Sequence, residues 1–106
     1  MEWDKLIGFV ASEHCRLKKH YPSLGSDDDQ LLARTVKLSE EVGELSDAVL
    51  KNLALQRSEK LQRTSDELSS ECADVIICAM LIAQAAGVDV SDALQKKIAH
   101  IQARVY

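Results

Sequence analysis

The sequence has few of the residues that interrupt regular structure. Its 106 residues include one proline, four glycines and only 4% aromatic residues. Turn-forming residues this sparse do not suit a β-sandwich, whose turns recur about every 8–12 residues. The rest of the composition, 46% hydrophobic and 28% charged, is typical of an ordered globular protein. We therefore predict one all-α domain that spans residues 1–106.

Cysteine and net positive charge are also scarce. The three cysteines, Cys15, Cys72 and Cys78, have no C-x-x-C spacing, so the sequence indicates neither a disulfide framework nor a zinc knuckle. We interpret them as small buried side chains. A net charge of −4 and a pI near 5.3 oppose nucleic-acid binding, which requires a clustered basic face. Since the first residues lack the basic start and apolar run of a signal peptide, we expect a cytoplasmic protein that binds neither nucleic acid nor membrane.

Apolar periodicity predicts four helices. The first spans Trp3 to His20 and ends at the break around Pro22. The second starts behind a cap at Ser26 and continues to about Leu55. Its apolar residues form one narrow seam at helical spacing: Leu31, Leu38, Val42, Leu45 and Val49.

Two further helices follow the polar stretch 56–63, which is either a loop or an extension of the second helix. A capping box at Thr64 predicts the start of the third helix, which reaches Ala86 and is capped by Gly87. Ser91 caps the fourth helix. The fourth helix should turn its apolar residues inward: Leu94, Ile98, Ile101 and Val105.

Residues 72–86 in the third helix are apolar around nearly the whole circumference, and Asp74 is their only charge. This segment is shorter than the ~20 apolar residues of a membrane span, so we expect it to be buried against protein. A chain of this size buries only about two-thirds of its unfolded surface. We therefore expect association, as a homodimer or homotetramer, to complete the core.

Acidic residues recur three apart on the second and third helices. Glu41 and Glu44 lie one turn apart, and Glu71 and Asp74 repeat that spacing. Four converging carboxylates would suit a hard cation, Mg²⁺ or Mn²⁺, of which we favour Mg²⁺. The histidines of a di-iron bundle are missing at the i+3 positions, and we assign the three histidines no role. The alternative is that these acids form salt bridges, for example with Lys37 or Lys51.

The motif Glu40-Glu41-x-x-Glu44, followed after 26 residues by Glu71-x-x-Asp74, resembles the paired acidic motifs of the MazG-like family of all-α nucleoside triphosphate pyrophosphohydrolases. The likeness covers residues 31–105. It implies a four-helix MazG-like fold, completed by oligomerisation as dimers or dimers of dimers. It also implies hydrolysis of a (deoxy)nucleoside triphosphate to the monophosphate and pyrophosphate, a house-cleaning of the nucleotide pool.

The resemblance further implies roles for individual residues. Glu41, Glu44, Glu71 and Asp74 would bind Mg²⁺, and Glu40 would help to activate water or bind a further metal. Lys97 and Arg104 match two positions of the family's C-terminal Lys-x-x-x-Asn-x-x-Arg pattern and become candidate triphosphate contacts, although basic residues at a helix C-terminus also complement its dipole. Two alternatives remain: a non-catalytic helical module that binds a nucleotide or a protein, and a phosphoribosyl-ATP pyrophosphohydrolase.

Overall fold

The computed structural model describes residues 1–55 and 61–106, and it describes the side chains of these residues except those in the range 55–65. Most of the described residues are helical. The four α-helices are α1 (Trp3–His20), α2 (Asp27–Leu55), α3 (Leu61–Ala85) and α4 (Val90–Gln102), with a 3₁₀ turn at Pro22–Leu24. The described residues contain no strand. The all-α prediction with four helices is therefore confirmed.

The caps confirm two predicted helix boundaries. Ser26 Oγ accepts a hydrogen bond from the backbone N–H of Asp29 (3.1 Å) at the start of α2. Gly87 follows α3 with φ +70°, a conformation that disfavours other residues. The backbone N–H of Val88 then bonds to the carbonyl of Ala83 (2.9 Å), which satisfies an otherwise free carbonyl in a Schellman-type ending.

Two other predicted boundaries are wrong. Helix α3 begins at Leu61 rather than at Thr64, while residues 56–60 of the polar stretch lie outside the described residues. Helix α4 is capped by Asp89, whose carboxylate accepts from the N–H of Asp92 at 3.0 Å. Ser91 instead accepts a hydrogen bond from Trp3 Nε1 (2.7 Å), which joins α4 to α1.

Helices α2 and α3 pack along each other in opposite directions. Arg34 of α2 contacts Leu81 of α3, whereas Glu41 of α2 lies beside Glu71 near the start of α3. Helix α1 packs on the C-terminal half of α3 through a core of Val10, Met80 and Leu81. Partly buried apolar residues surround that core: Leu6, Ile7, Leu17, Ile77 and Val90.

The buried residues of helix α2 lie beside its apolar seam. Its buried residues are Gln30, Arg34, Glu41 and Ala48, which repeat at helical spacing. In the predicted apolar seam, by contrast, Val42 is 45% exposed. The inner face of α2 is therefore largely polar, and the apolar seam lies at its edge.

Much apolar surface on α3 and α4 stays exposed in the single chain. Ile76 of α3 is 56% exposed, and Leu94, Ile98 and Ile101 of α4 are exposed as well. The predicted burial of α3 and the predicted inward direction of α4 are therefore wrong for one chain, because α4 makes few contacts and α3 has neighbours on only part of its surface. The Cα radius of gyration, 16.7 Å, also exceeds the ~13 Å expected for a compact domain of this length.

The same openness affects the cysteines. Cys15 and Cys72 are exposed and Cys78 is half-buried, so the predicted burial of the cysteines is wrong. Cys15 and Cys72 lie on helix faces that the described chain leaves exposed.

One helical segment, Asp66–Ala85, has the length and apolar composition of a membrane span. The apolar segment identified from the sequence, residues 72–86, covers only part of this helical segment. Length and composition are weak grounds for a span, because core helices of soluble proteins meet the same criterion. Glu71 and Asp74 lie within this segment, and charged residues inside a span are costly.

Candidate metal centre

Glu41, Glu44 and Glu71 converge where α2 packs against α3. One carboxylate oxygen of each lies within 4.8 Å of those of the other two. Glu41 is buried, Glu71 is half-buried and Glu44 is exposed, so this acidic trio extends from the interior to solvent. The predicted convergence of acids from two helices holds for these three residues.

Two oxygens of the acidic trio are buried without a partner. Glu41 Oε2 and Glu71 Oε2 make no hydrogen bond to the described residues. Burial raises the pKa of the Glu71 carboxyl, and the nearby charges of Glu44, Asp74 and Glu41 raise it further. Because buried carboxylate oxygens are costly unless paired, the trio fits a hard divalent cation, which prefers such oxygen ligands.

Lys37 is the cation nearest to the acidic trio in the described chain. Its Nζ lies 3.1 Å from Glu41 Oε1 and 3.3 Å from Glu40 Oε2, and these hydrogen bonds, the one to Glu41 first, raise the lysine pKa. One lysine offsets at most one of the three negative charges. Lys37 alone therefore does not neutralise the acidic trio, which favours a divalent cation at this position.

The alternative of salt bridges holds only in part. Lys37 does pair with Glu41, but within one helix rather than between helices. Lys51 pairs with Asp47 Oδ2 at 2.9 Å and with no member of the trio. Among the described residues, lysine pairing therefore leaves Glu44 and Glu71 without an ion pair.

Two of the predicted acids lie outside the trio. Asp74 is half-buried one turn after Glu71, and its charge contributes to the raised pKa of Glu71. Glu40 is exposed and paired with Lys37, on the solvent side of Glu41. Both residues border the trio without belonging to it.

Lys97 and Arg104 are not brought to the trio by the described part of the chain. Lys97 is exposed on α4, Arg104 is exposed just beyond its end, and neither side chain forms an ion pair with a described residue. Their predicted contact with a triphosphate stays a prediction.

A polar cleft of about 300 Å³ adjoins the trio. It is lined by two members of the trio, three further charged residues and one alanine: Glu44, Asp47, Ala48, Lys51, Glu67 and Glu71. The half-buried thiol of Cys78 lies on the other side, where burial and then the charge of Glu41 raise its pKa. Because a protonated thiol is a poor ligand, the donor set consists of oxygens, which favours Mg²⁺ or Mn²⁺ over softer metals.

Sequence reasoning missed three residues beside the trio. Arg34 of α2 donates from Nη1 to His14 Nδ1 of α1 and to the carbonyl of Leu81 of α3 (3.3 Å). His14, to which we assigned no role, therefore fixes a buried arginine. Gln30, one turn before Arg34, is also buried. Arg34 and Gln30 lie seven and eleven residues before Glu41, and this spacing places all three on one face of α2. The spacing was therefore the sequence signal that could have identified Arg34 and Gln30.

A comparison with known protein families gives a match. The sequence model of a family described as MazG nucleotide pyrophosphohydrolase domain matches residues 30–105. The matched region contains the acidic trio, Asp74 and α4. Searches of curated proteins and of solved structures give no match.

Proposed function

Because the chain belongs to the MazG nucleotide pyrophosphohydrolase family, we propose that it hydrolyses (deoxy)nucleoside triphosphates to the monophosphate and pyrophosphate in a reaction that depends on Mg²⁺. The observation that carries this proposal is the acidic trio, in which Glu41 Oε2 and Glu71 Oε2 are buried without a partner. Mg²⁺ commonly binds a few protein carboxylates together with substrate phosphates.

The acidic trio would hold the cation, and Asp74 would join it from the next turn of α3. When bound, a divalent cation neutralises charge on phosphoryl oxygens and makes the phosphorus more electrophilic. Lys37, fixed by Glu40 and Glu41, adds a positive charge at the edge of the trio. This charge would stabilise negative charge that develops on the phosphoryl oxygens.

We assign Glu40 the role of the general base that activates the attacking water molecule. Its carboxylate is exposed beside the trio and would accept one proton from water as the water oxygen bonds to the α-phosphorus. The bond between that phosphorus and the oxygen that bridges to the β-phosphorus then breaks, and pyrophosphate leaves with the bridging oxygen. The other product is the nucleoside monophosphate.

The proposal also includes an oligomeric state and a cellular location. Exposed apolar side chains on α3 and α4 favour a homodimer or homotetramer, since monomers rarely expose large apolar patches. We propose that Lys97 and Arg104 contact the triphosphate in that assembly. The protein would act on the cytoplasmic nucleotide pool and would bind neither nucleic acid nor membrane.

The test is a substrate panel with and without Mg²⁺, followed by separation of the products. The panel contains the common ribo- and deoxynucleoside triphosphates and phosphoribosyl-ATP. We expect pyrophosphate, and no orthophosphate, from at least one triphosphate and only with the cation. Turnover of phosphoribosyl-ATP alone would identify the alternative enzyme, and turnover of no compound would favour a non-catalytic module.

A further inference from the structure

A second pocket lies between α1, the 3₁₀ turn and α2, on the N-terminal side of the acidic trio. It encloses about 400 Å³, the size range of small-ligand sites. Its lining is mostly apolar, with three polar side chains from α2: Leu17, Tyr21, Leu24, Gln30, Ala33, Arg34 and Lys37. Lys37 also contacts Glu41, so this pocket, which we call the α1–α2 pocket, adjoins the trio.

Arg34 brings a buried and uncompensated positive charge to the α1–α2 pocket. It is only 7% exposed, and no carboxylate of the described chain lies within ion-pair distance of it. Burial lowers the pKa of its guanidinium, and no described acid opposes that effect. A buried charge without an ionic partner is unfavourable, and in the described chain only the neutral acceptors of His14 and Leu81 stabilise this one.

The donors of Arg34 are only partly used. An arginine has five N–H donors. In the described chain, two from Nη1 go to His14 Nδ1 and to the carbonyl of Leu81, and one from Nη2 goes to the carbonyl of His14 (3.4 Å). One N–H on Nε and one on Nη2 have no partner in the described chain, and two such N–H groups of an arginine can bind two neighbouring acceptors.

Gln30 supplies an acceptor one turn away. It is 4% exposed, and its Nε2 donates to the carbonyl of Tyr21 at 3.3 Å. The reverse orientation would place two oxygens against each other, so the amide direction is fixed. Within the described chain this is the only side-chain hydrogen bond of Gln30, and its Oε1 stays available as an acceptor.

We propose that Arg34 and Gln30 read the base of the nucleotide substrate in the α1–α2 pocket, and that they select a base with two neighbouring acceptors followed by a donor. This inference rests on the proposed function. Arg34 lies seven residues before Glu41, about 10 Å along the helix. That separation lets the base occupy the α1–α2 pocket while the triphosphate reaches the acidic trio.

The chemistry restricts the base. Cytosine presents O2 and N3 as acceptors beside the N4 amine, and guanine presents N7 and O6 beside N1–H. Thymine, uracil and adenine lack two neighbouring acceptors, so the arginine fork cannot be satisfied. The ring of Tyr21, which lines the same pocket, provides a surface against which the base can stack.

Binding of 2′-deoxynucleosides tests the inference without metal and without phosphate. We would follow chemical shifts of isotope-labelled protein by NMR during titration with deoxycytidine, deoxyguanosine, thymidine and deoxyadenosine. A good bidentate contact discriminates about tenfold or more. We therefore expect deoxycytidine or deoxyguanosine to bind about tenfold more tightly than the other two, and the titration also identifies which of them is preferred.

Two variants assign the preference to residues. Arg34→Lys keeps the charge and removes the fork, and Gln30→Met keeps the size and removes the acceptor. In both variants the preferred deoxynucleoside should bind less than about threefold more tightly than the others, because each variant lacks one of the polar contacts that discriminate between bases. The matched controls are Arg16→Lys and Gln84→Met, because both residues are exposed and outside the pocket.

Several results would overturn the inference. One is equal binding of the four deoxynucleosides, and another is a preference that survives in folded Arg34→Lys or Gln30→Met protein. If Arg34→Lys does not fold, the Gln30→Met result decides. Binding of inorganic phosphate at Arg34 without binding of any nucleoside would identify an anion site instead. Base preference in a protein that releases no pyrophosphate would refute the proposed function and leave the pocket assignment standing.

Discussion

Addition of Mg²⁺ should raise the melting temperature substantially. Three carboxylates lie together with their oxygens within 4.8 Å, and Lys37 offsets at most one of their charges. The unfolded chain separates these acids, so a divalent cation should bind the folded protein selectively. Selective binding shifts the folding equilibrium toward the folded state.

The size of the shift follows from mass action. At a free Mg²⁺ concentration 100 times the dissociation constant, the free energy of unfolding rises by about 2.7 kcal/mol. A chain of 106 residues unfolds with an entropy of about 0.22 kcal/mol/K near the midpoint. The quotient is about 12 °C, which differential scanning calorimetry at constant protein concentration would measure readily.

The variant Glu71→Gln tests whether the acidic trio causes the shift. Its melting temperature without metal should rise, because the substitution removes a charge whose pKa is raised by burial and by the neighbouring acids. That gain should be present above the Glu71 pKa and vanish in acid, where wild-type Glu71 is protonated. With Mg²⁺ the variant should lose most of the shift, while Glu2→Gln, an exposed matched control, should retain it. No shift in the wild type with either Mg²⁺ or Mn²⁺, or an equal shift in Glu71→Gln, would refute the metal centre.

Three further predictions concern activity, pH and assembly. Asp74→Asn should lower pyrophosphate release about 10- to 100-fold without lowering the metal-free melting temperature; a much less stable variant would indicate a structural ion pair. Burial, and then the charge of Arg34, lower the pKa of His14 from 6.5, so the unfolded chain binds a proton first and stability should fall as the pH drops below about 6.5. Urea unfolding should show this loss in wild type and in His100→Gln, but less of it in His14→Gln. Ile98→Glu on the exposed face of α4 should yield a monomer in light scattering, whereas Gln95→Glu should not, and a monomeric wild type at micromolar concentration would contradict the proposed assembly.

The fold was largely predictable because its signals are local. The bounds of α1 follow from apolar spacing and from the break at Pro22, and Ser26 and Gly87 cap helices as expected. The wrong boundary at Ser91 has a tertiary cause. Its hydroxyl accepts from Trp3, 88 residues away, and the neighbouring Asp89 then supplies the cap. Local sequence could not reveal that competition.

The candidate site was predictable to the extent that it depends on spacing within a helix. Glu41 with Glu44, and Glu71 with Asp74, follow from the three-residue period, and packing of α2 against α3 then brings three of the four together. Whether Asp74 joins them depends on the crossing of the two helices, which periodicity does not specify. The pocket formed by Arg34 and Gln30 depends on a third helix, α1, and stayed invisible for the same reason.

The polar inner face of α2 explains why its apolar seam is only partly buried. A helix that turns Gln30, Arg34 and Glu41 inward leaves its apolar seam at the edge of that face, because the two stripes are about 70° apart around the axis. Burial of these polar groups opposes folding unless they are paired, and an exposed apolar seam loses the stabilisation that it would gain from burial. In the proposed assembly both costs would fall, because a ligand would pair the inner groups and a second copy would cover the seam. Stability would then depend on occupancy of the site and on assembly, and the Mg²⁺, Glu71→Gln and Ile98→Glu experiments measure these two dependences.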